Sequence, residues 1–160
     1  VNPSRMIKYL VVLAFVPAIF AFIQPCPELP NLMPLRARSD KCDDNGCNLS
    51  SDINIDFEVD FVAPNDVQYF NPSGRLVFRG PDQIELYEPI YFPAEIADGC
   101  ANLVDSSCPI NAGETRTWKI DWDWHREYMT TNIDYGVEAR LYDQNEQAFA
   151  CIRFIVRYNV

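Results

Sequence analysis

Basic residues are scarce in this chain, and their scarcity sets the first constraint. Thirteen Lys and Arg stand against 23 Asp and Glu, for a formal net charge of -10 at pH 7. Phosphate binding needs clustered Lys and Arg, so the balance argues against nucleic acid as a partner. It also argues against passive adhesion to anionic membranes at neutral pH. Histidine occurs once, at His125, so a triad or a zinc site would have to be built around that residue. A Gly-rich phosphate loop is missing. So are paired Cys-x2-Cys spacings of the zinc-ribbon kind. Beyond residue 23 no apolar run is long enough to span a bilayer. No internal repeat or linker divides the chain, and its length suits one domain.

What the chain does have begins at its N-terminus. Arg5 and Lys8 precede the apolar run Tyr9–Ile23, which carries small residues (Ala18, Ala21) near its end. A charged head, a short apolar stretch and small residues describe a secretory signal peptide. Pro17 and the shortness of the run disfavour the alternative, an uncleaved anchor. The expected division is residues 1–21 as upstream residues and signal, and 22–160 as the folded domain. Cleavage would remove Arg5 and Lys8 but no acid, leaving a still more acidic product. That product would be secreted, or would enter the lumen of an endosomal or lysosomal compartment, where disulfides persist. Asn48-Leu49-Ser50 is the one N-glycosylation sequon.

Period-two alternation dominates the rest. Ile53, Ile55, Phe57, Val59 and Phe61 are apolar, and Asn54, Asp56, Glu58 and Asp60 lie between them. The pattern returns in Trp118, Ile120 and Trp122, in Ile133 to Leu141, and in Ile152 to Tyr158. Such strands bury one face and wet the other. Shorter candidates are Val67–Phe70, Leu76–Arg79 and Ile84–Phe92, with turns expected at Asn71-Pro72-Ser73-Gly74, Gly80-Pro81-Asp82, Asn111-Ala112-Gly113 and Asp143–Glu146. Residues 27–41 hold Pro27, Pro30 and Pro34, which suits an irregular or edge strand. No convincing amphipathic helix follows the signal. The expected fold is all-β, an immunoglobulin-like antiparallel β-sandwich of about seven strands.

Six cysteines allow 15 pairings. Spacing hints at Cys42 with Cys47 across a turn and Cys100 with Cys108 around a polar loop, which leaves Cys26 with Cys151. Catalytic constellations are poor. His125 reads as a solvated strand residue. Asp121 and Asp123 share a strand face about 7 Å apart, a carboxylate spacing that an exposed polar face explains better than a catalytic pair does. Asp43, Asp44 and Asn45 lack the spacing of a calcium loop. Neither a cofactor nor a metal is expected, and the chain does not read as an enzyme.

The Cys42-x4-Cys47 pair with Leu49 close behind, Phe92-Pro93 leading to Asp98-Gly99-Cys100, Cys108-Pro109-Ile110 and a last Cys151 resemble one family. It is the ML lipid-recognition family, and the pattern is nearest to its Niemann-Pick type C sterol carriers and mite group-two allergens. The resemblance runs from Cys26 to Val160. It implies pairing of first Cys with last, second with third, and fourth with fifth, the same arrangement that the spacing hints at. It implies two sheets splayed around an apolar cavity that holds a sterol, fatty acid or other lipid. Matching positions make Leu49, Ile55, Phe57, Val59, Phe92, Pro93, Trp124, Tyr128 and Val137 the lipid-lining candidates. Phe92 and Tyr128 fall at the pocket mouth, where docking to a membrane or receptor would occur. Two other readings stand beside this one. One is an innate-immune lipid-recognition or receptor-binding protein of the same family. The other is a structural or adhesive sandwich with a solid core and no ligand.

Overall fold

The computed structural model describes residues 23–49, 54–80, 82, 84–123 and 134–158. Ten strands lie among them: β1 (Ile23–Gln24), β2 (Arg36–Arg38), β3 (Cys42–Asp43), β4 (Gly46–Leu49), β5 (Asn54–Val62), β6 (Phe70–Arg79), β7 (Glu85–Ile90), β8 (Thr115–Asp123), β9 (Asp134–Asp143) and β10 (Ala148–Tyr158). A four-residue helix α1 (Ala94–Ala97) and a 3-10 turn η1 (Cys100–Asn102) sit between β7 and β8. The larger sheet runs β3-β4-β10-β9-β6-β7, with β1 on β10, and the smaller runs β2-β5-β8. All neighbours are antiparallel except β4 and β10, which pair in parallel. No helix among the described residues is long and apolar enough to cross a membrane.

The alternating patterns place the two inner faces. Phe57, Val59 and Phe61 of β5 and Trp118 and Ile120 of β8 face inward from the smaller sheet and are buried. Tyr135, Val137, Ala139 and Leu141 of β9 answer them, with Ile152, Phe154 and Val156 of β10. The rings of Phe57 and Phe154 stack across the gap with centroids 4.9 Å apart. At one end Phe61, Phe70 and Phe149 pack in a tilted and edge-on cluster. Each such ring pair contributes about 0.5–1.5 kcal/mol beyond area burial. The outer face of the smaller sheet is wet and charged, as alternation predicts. There Arg38 pairs with Glu58 at 2.8 Å, and Lys119 with Asp56 at 3.4 Å.

The outer face of the larger sheet departs from the expectation of a wet face. Glu138 points away from the core, yet it is fully buried. The segment after β1 crosses this face and is tied there by the Cys26–Cys151 disulfide and by a hydrogen bond from Cys151 N to Leu32 O of 2.7 Å. Under this strap Glu138 accepts from Arg75 at 2.6 Å, Arg153 at 2.6 Å and Arg140 at 3.0 Å. Arg140 and Arg75 also reach Glu28 of the strap, and Arg153 forks onto Glu85 of β7. The other two disulfides join Cys42 with Cys47 and Cys100 with Cys108, so all six cysteines pair as the spacing hints.

One expected turn is overturned. Asn71-Pro72-Ser73-Gly74 lies inside β6, paired with β9 from Phe70 to Val77. Proline is tolerated because β7 begins to pair only at Gly74, so one edge of β6 is free beside Pro72. Val67 makes only an isolated bridge, to Ile110.

Gly99 is fixed by contact. Its N–H bonds Phe70 O at 3.0 Å, and a methyl group there would overlap the buried Phe70 ring. Gly99→Ala is therefore expected to lower stability by about 1–3 kcal/mol, the usual cost of overpacking. Urea unfolding measures it, and an unchanged midpoint would show that Phe70 has room to move.

Candidate functional site

Three of the residues expected to line a ligand meet in the space between the sheets. Phe57 and Val59 enter it from β5 and Val137 from β9, all buried in one continuous apolar cluster. Strand parity puts them there. Val59 pairs with Trp118, and Val137 with Leu76 and Phe154, so each shares its face with another large apolar side chain. Phe92 follows β7 and is half-buried against the same cluster. Its ring end lies under Gly74, where a Cβ would come within 2.9 Å of it. The glycine thus makes room for Phe92 at the edge of the sandwich. Pro93 is exposed rather than in the wall. It opens α1, and its carbonyl accepts from Ile96 N at 2.9 Å and Ala97 N at 3.0 Å.

The remaining candidates are placed only in part. Leu49 pairs with Tyr158 at the end of β4, and Ile55 with Trp122 near the start of β5. Trp124 and Tyr128 lie outside the described residues, as does His125. Asn48 of the sequon is exposed on β4. Cys26, Cys151 and Glu138 bring sulfur and carboxylate atoms within 4.8 Å of one another. Both sulfurs are bonded in the disulfide, so the group has no thiolate to offer a metal.

Hollows bordered by described residues adjoin this core. A void of about 10 Å³ lies between the sheets, bordered by Val59 and Trp118 on one side and by Ala139, Leu141, Ala150 and Ile152 on the other. An open hollow of about 290 Å³ lies beside α1 and η1, lined by Ile96, Leu103 and Val104 together with Glu95, Lys119 and Asp121. Its open shape and its charged lining suit solvent better than a lipid chain.

Trp118 is the residue whose role the sequence understates. Alternation marks it as inward-facing, but not that it would be fully buried with its indole Nε1 lacking a hydrogen-bond partner. β8 is flanked there by Val59 on one side and an isolated bridge to Leu103 on the other.

Charge at the large sheet's outer face is tuned by the same fold. Burial pushes the Glu138 carboxyl up, but hydrogen bonds from Arg75, Arg153 and Arg140 outweigh it and hold the group below the usual carboxylate range. Glu85 is brought down to about 2, first by the Arg153 hydrogen bonds and then by the Tyr87 hydroxyl. The edge strand β7, which leads to Phe92, is thereby fastened to β10 from outside.

Comparison with known proteins agrees with this architecture. The profile of the ML domain matches residues 44–158. No curated protein matches the sequence. Among solved structures, a Niemann-Pick type C2 protein from the Japanese carpenter ant superposes with a TM-score of 0.62 at 15% identity, covering 77% of this chain and 89% of that one. Chicken MD-1, solved in complex with lipid IVa, superposes with a TM-score of 0.50 at 17% identity, covering 83% and 85%. At such identities the superpositions speak for the fold.

Proposed function

This chain belongs to the ML-domain family, and on that premise we propose that it carries a lipid, a sterol or a fatty acid, between its two sheets. The observation that carries the proposal is the ML-domain match over two sheets whose inner faces are built from aromatic and branched apolar side chains. The chicken MD-1 complex with lipid IVa supports it by fold. Binding would be driven by burial of apolar surface. About 300 Å² of ligand area contributes about 7 kcal/mol before ordering costs. No covalent step is needed. Phe57, Val59 and Val137 form the wall described above, and Phe92 its edge. Leu49, Ile55, Trp124 and Tyr128 complete the proposed lining, and Pro93 stands outside it. The N-terminal run of apolar residues acts as a signal peptide in this reading, so the protein reaches the extracellular fluid or an acidic lumen with a glycan on Asn48.

A second reading has one observation in its favour. One void between the described parts of the sheets, bordered by Val59, Trp118 and Ala139, holds no more than an atom, as in a sandwich with a solid core. One experiment separates the two. Protein secreted by its native host is analysed by native mass spectrometry and lipid extraction, then delipidated and offered cholesterol and oleic acid. A stoichiometric co-purified or reloaded lipid is the expected result. Protein that emerges empty and takes up neither would establish the solid core.

A further inference from the structure

We propose that the inter-sheet site prefers a neutral lipid with an oxygen atom set within its apolar body, and that the indole N–H of Trp118 is the group that selects it. The inference rests on the lipid-binding reading above and names the ligand class more narrowly. Trp118 is fully buried, and its Nε1 has no hydrogen-bond partner. A buried tryptophan N–H usually finds one. Among the described residues, the other unpaired buried polar atoms belong to Asn65, Arg116 and Arg140, whose side chains bond elsewhere through Asp143, Glu114 and Glu138. Trp118 has a single polar atom, so nothing else on the side chain compensates.

The same tryptophan borders the void of about 10 Å³, and the short side chains of Ala139 and Ala150 face it from the opposite sheet. That volume is what one oxygen-sized atom needs. A water is a poor occupant, because a buried water takes two to four hydrogen bonds and the bordering side chains supply one donor. A ligand oxygen is a better one. It accepts from the indole, and the carbon atoms it is bonded to take their place between Val59, Leu141 and Ile152 as the sheets part beyond the one-atom void to admit the ligand. A carboxylate is disfavoured, since a charge buried against one neutral donor stays uncompensated. The chemistry left is a hydroxyl, ketone or ester oxygen.

The test uses two pairs of neutral probes that differ by one oxygen in the apolar body: cholesterol with 25-hydroxycholesterol, and methyl stearate with methyl 12-oxostearate. In the pair that binds, the oxygenated member is expected to bind about three- to tenfold more tightly to the intact, disulfide-bonded protein. Trp118→Phe should reduce that preference to within twofold. The proton resonance of the Trp118 indole N–H should move downfield with the oxygenated probe and not with its parent, a readout that needs no variant to fold. Equal affinities within the pair, or an indole resonance alike in the two complexes, would overturn the inference while leaving lipid binding intact. Binding of none of the four probes would remove the lipid-binding reading and this inference together.

Discussion

Glu138→Gln is expected to lower the free energy of unfolding by about 3–5 kcal/mol, the cost of removing one partner from a buried ionic cluster. The carboxylate is fully buried and accepts hydrogen bonds from three arginines. Without it Arg75, Arg140 and Arg153 keep Glu28 and Glu85 as carboxylate partners, and their facing charges repel. The contrast is Glu28→Ala. Its side chain is 52% exposed, so its pairs with Arg75 and Arg140 are worth at most about 1 kcal/mol. Urea denaturation of both variants measures the difference. Similar losses for the two would mean that water reaches Glu138 in solution.

Acid tests the same cluster with the sign fixed in advance. Glu138, Glu28 and Glu85 all have carboxyl groups held below their ordinary value by arginine partners. A carboxylate lowered on folding stabilises fully above its unfolded pKa and loses that contribution as pH falls through the folded one. Their combined contribution is thus constant from pH 7 to 5 and declines only below about 4.5, with Glu85 holding out to about 2. The strap and β7 stay fastened at the pH of an endosomal lumen. Thermal unfolding followed from pH 7 to 3 reads this out. A fall between pH 7 and 5 that Glu138→Gln abolishes would reverse the sign of the argument.

The inner faces were legible because their period is two and their neighbours are local. Phe57, Val59, Trp118 and Val137 each sit where alternation puts them. The disulfides were legible because two loops are short, which leaves a single remaining pair. What alternation could not convey was the burial of the opposite face. Glu138 and Arg153 occupy positions that a lone sheet would leave wet. Only the strap, brought back by Cys26 from more than a hundred residues away, covers them. The turn expected at Asn71–Gly74 failed for a related reason. Pro72 and Gly74 look like turn residues locally, whereas in the fold a free strand edge accommodates the proline and Phe92 needs the space at the glycine. Phe92 was singled out only through family resemblance, since nothing in composition distinguishes it from any other half-buried aromatic.

Removing the Cys26–Cys151 bridge, by replacing both residues with alanine, is expected to cost about 4–5 kcal/mol, because it closes a loop of 125 residues in the unfolded chain. The Cys42–Cys47 bridge closes a loop of five and by the same relation contributes about 2 kcal/mol. Chain entropy is only part of the first effect. The Cys26 and Cys151 sulfurs lie within 4.8 Å of a Glu138 oxygen, so the disulfide is also part of the lid over that carboxylate. Without it the strap is held by the short β1 pairing with β10, by the Cys151–Leu32 hydrogen bond and by the exposed Glu28. Water then reaches Glu138, and its ion pairs weaken toward surface values. The two losses should therefore not add. In a double-mutant cycle by urea unfolding, Glu138→Gln should cost at least 1 kcal/mol less in the disulfide-free protein than in the native one. Strict additivity would mean that the arginines alone keep Glu138 dry and that the bridge acts only through the unfolded chain.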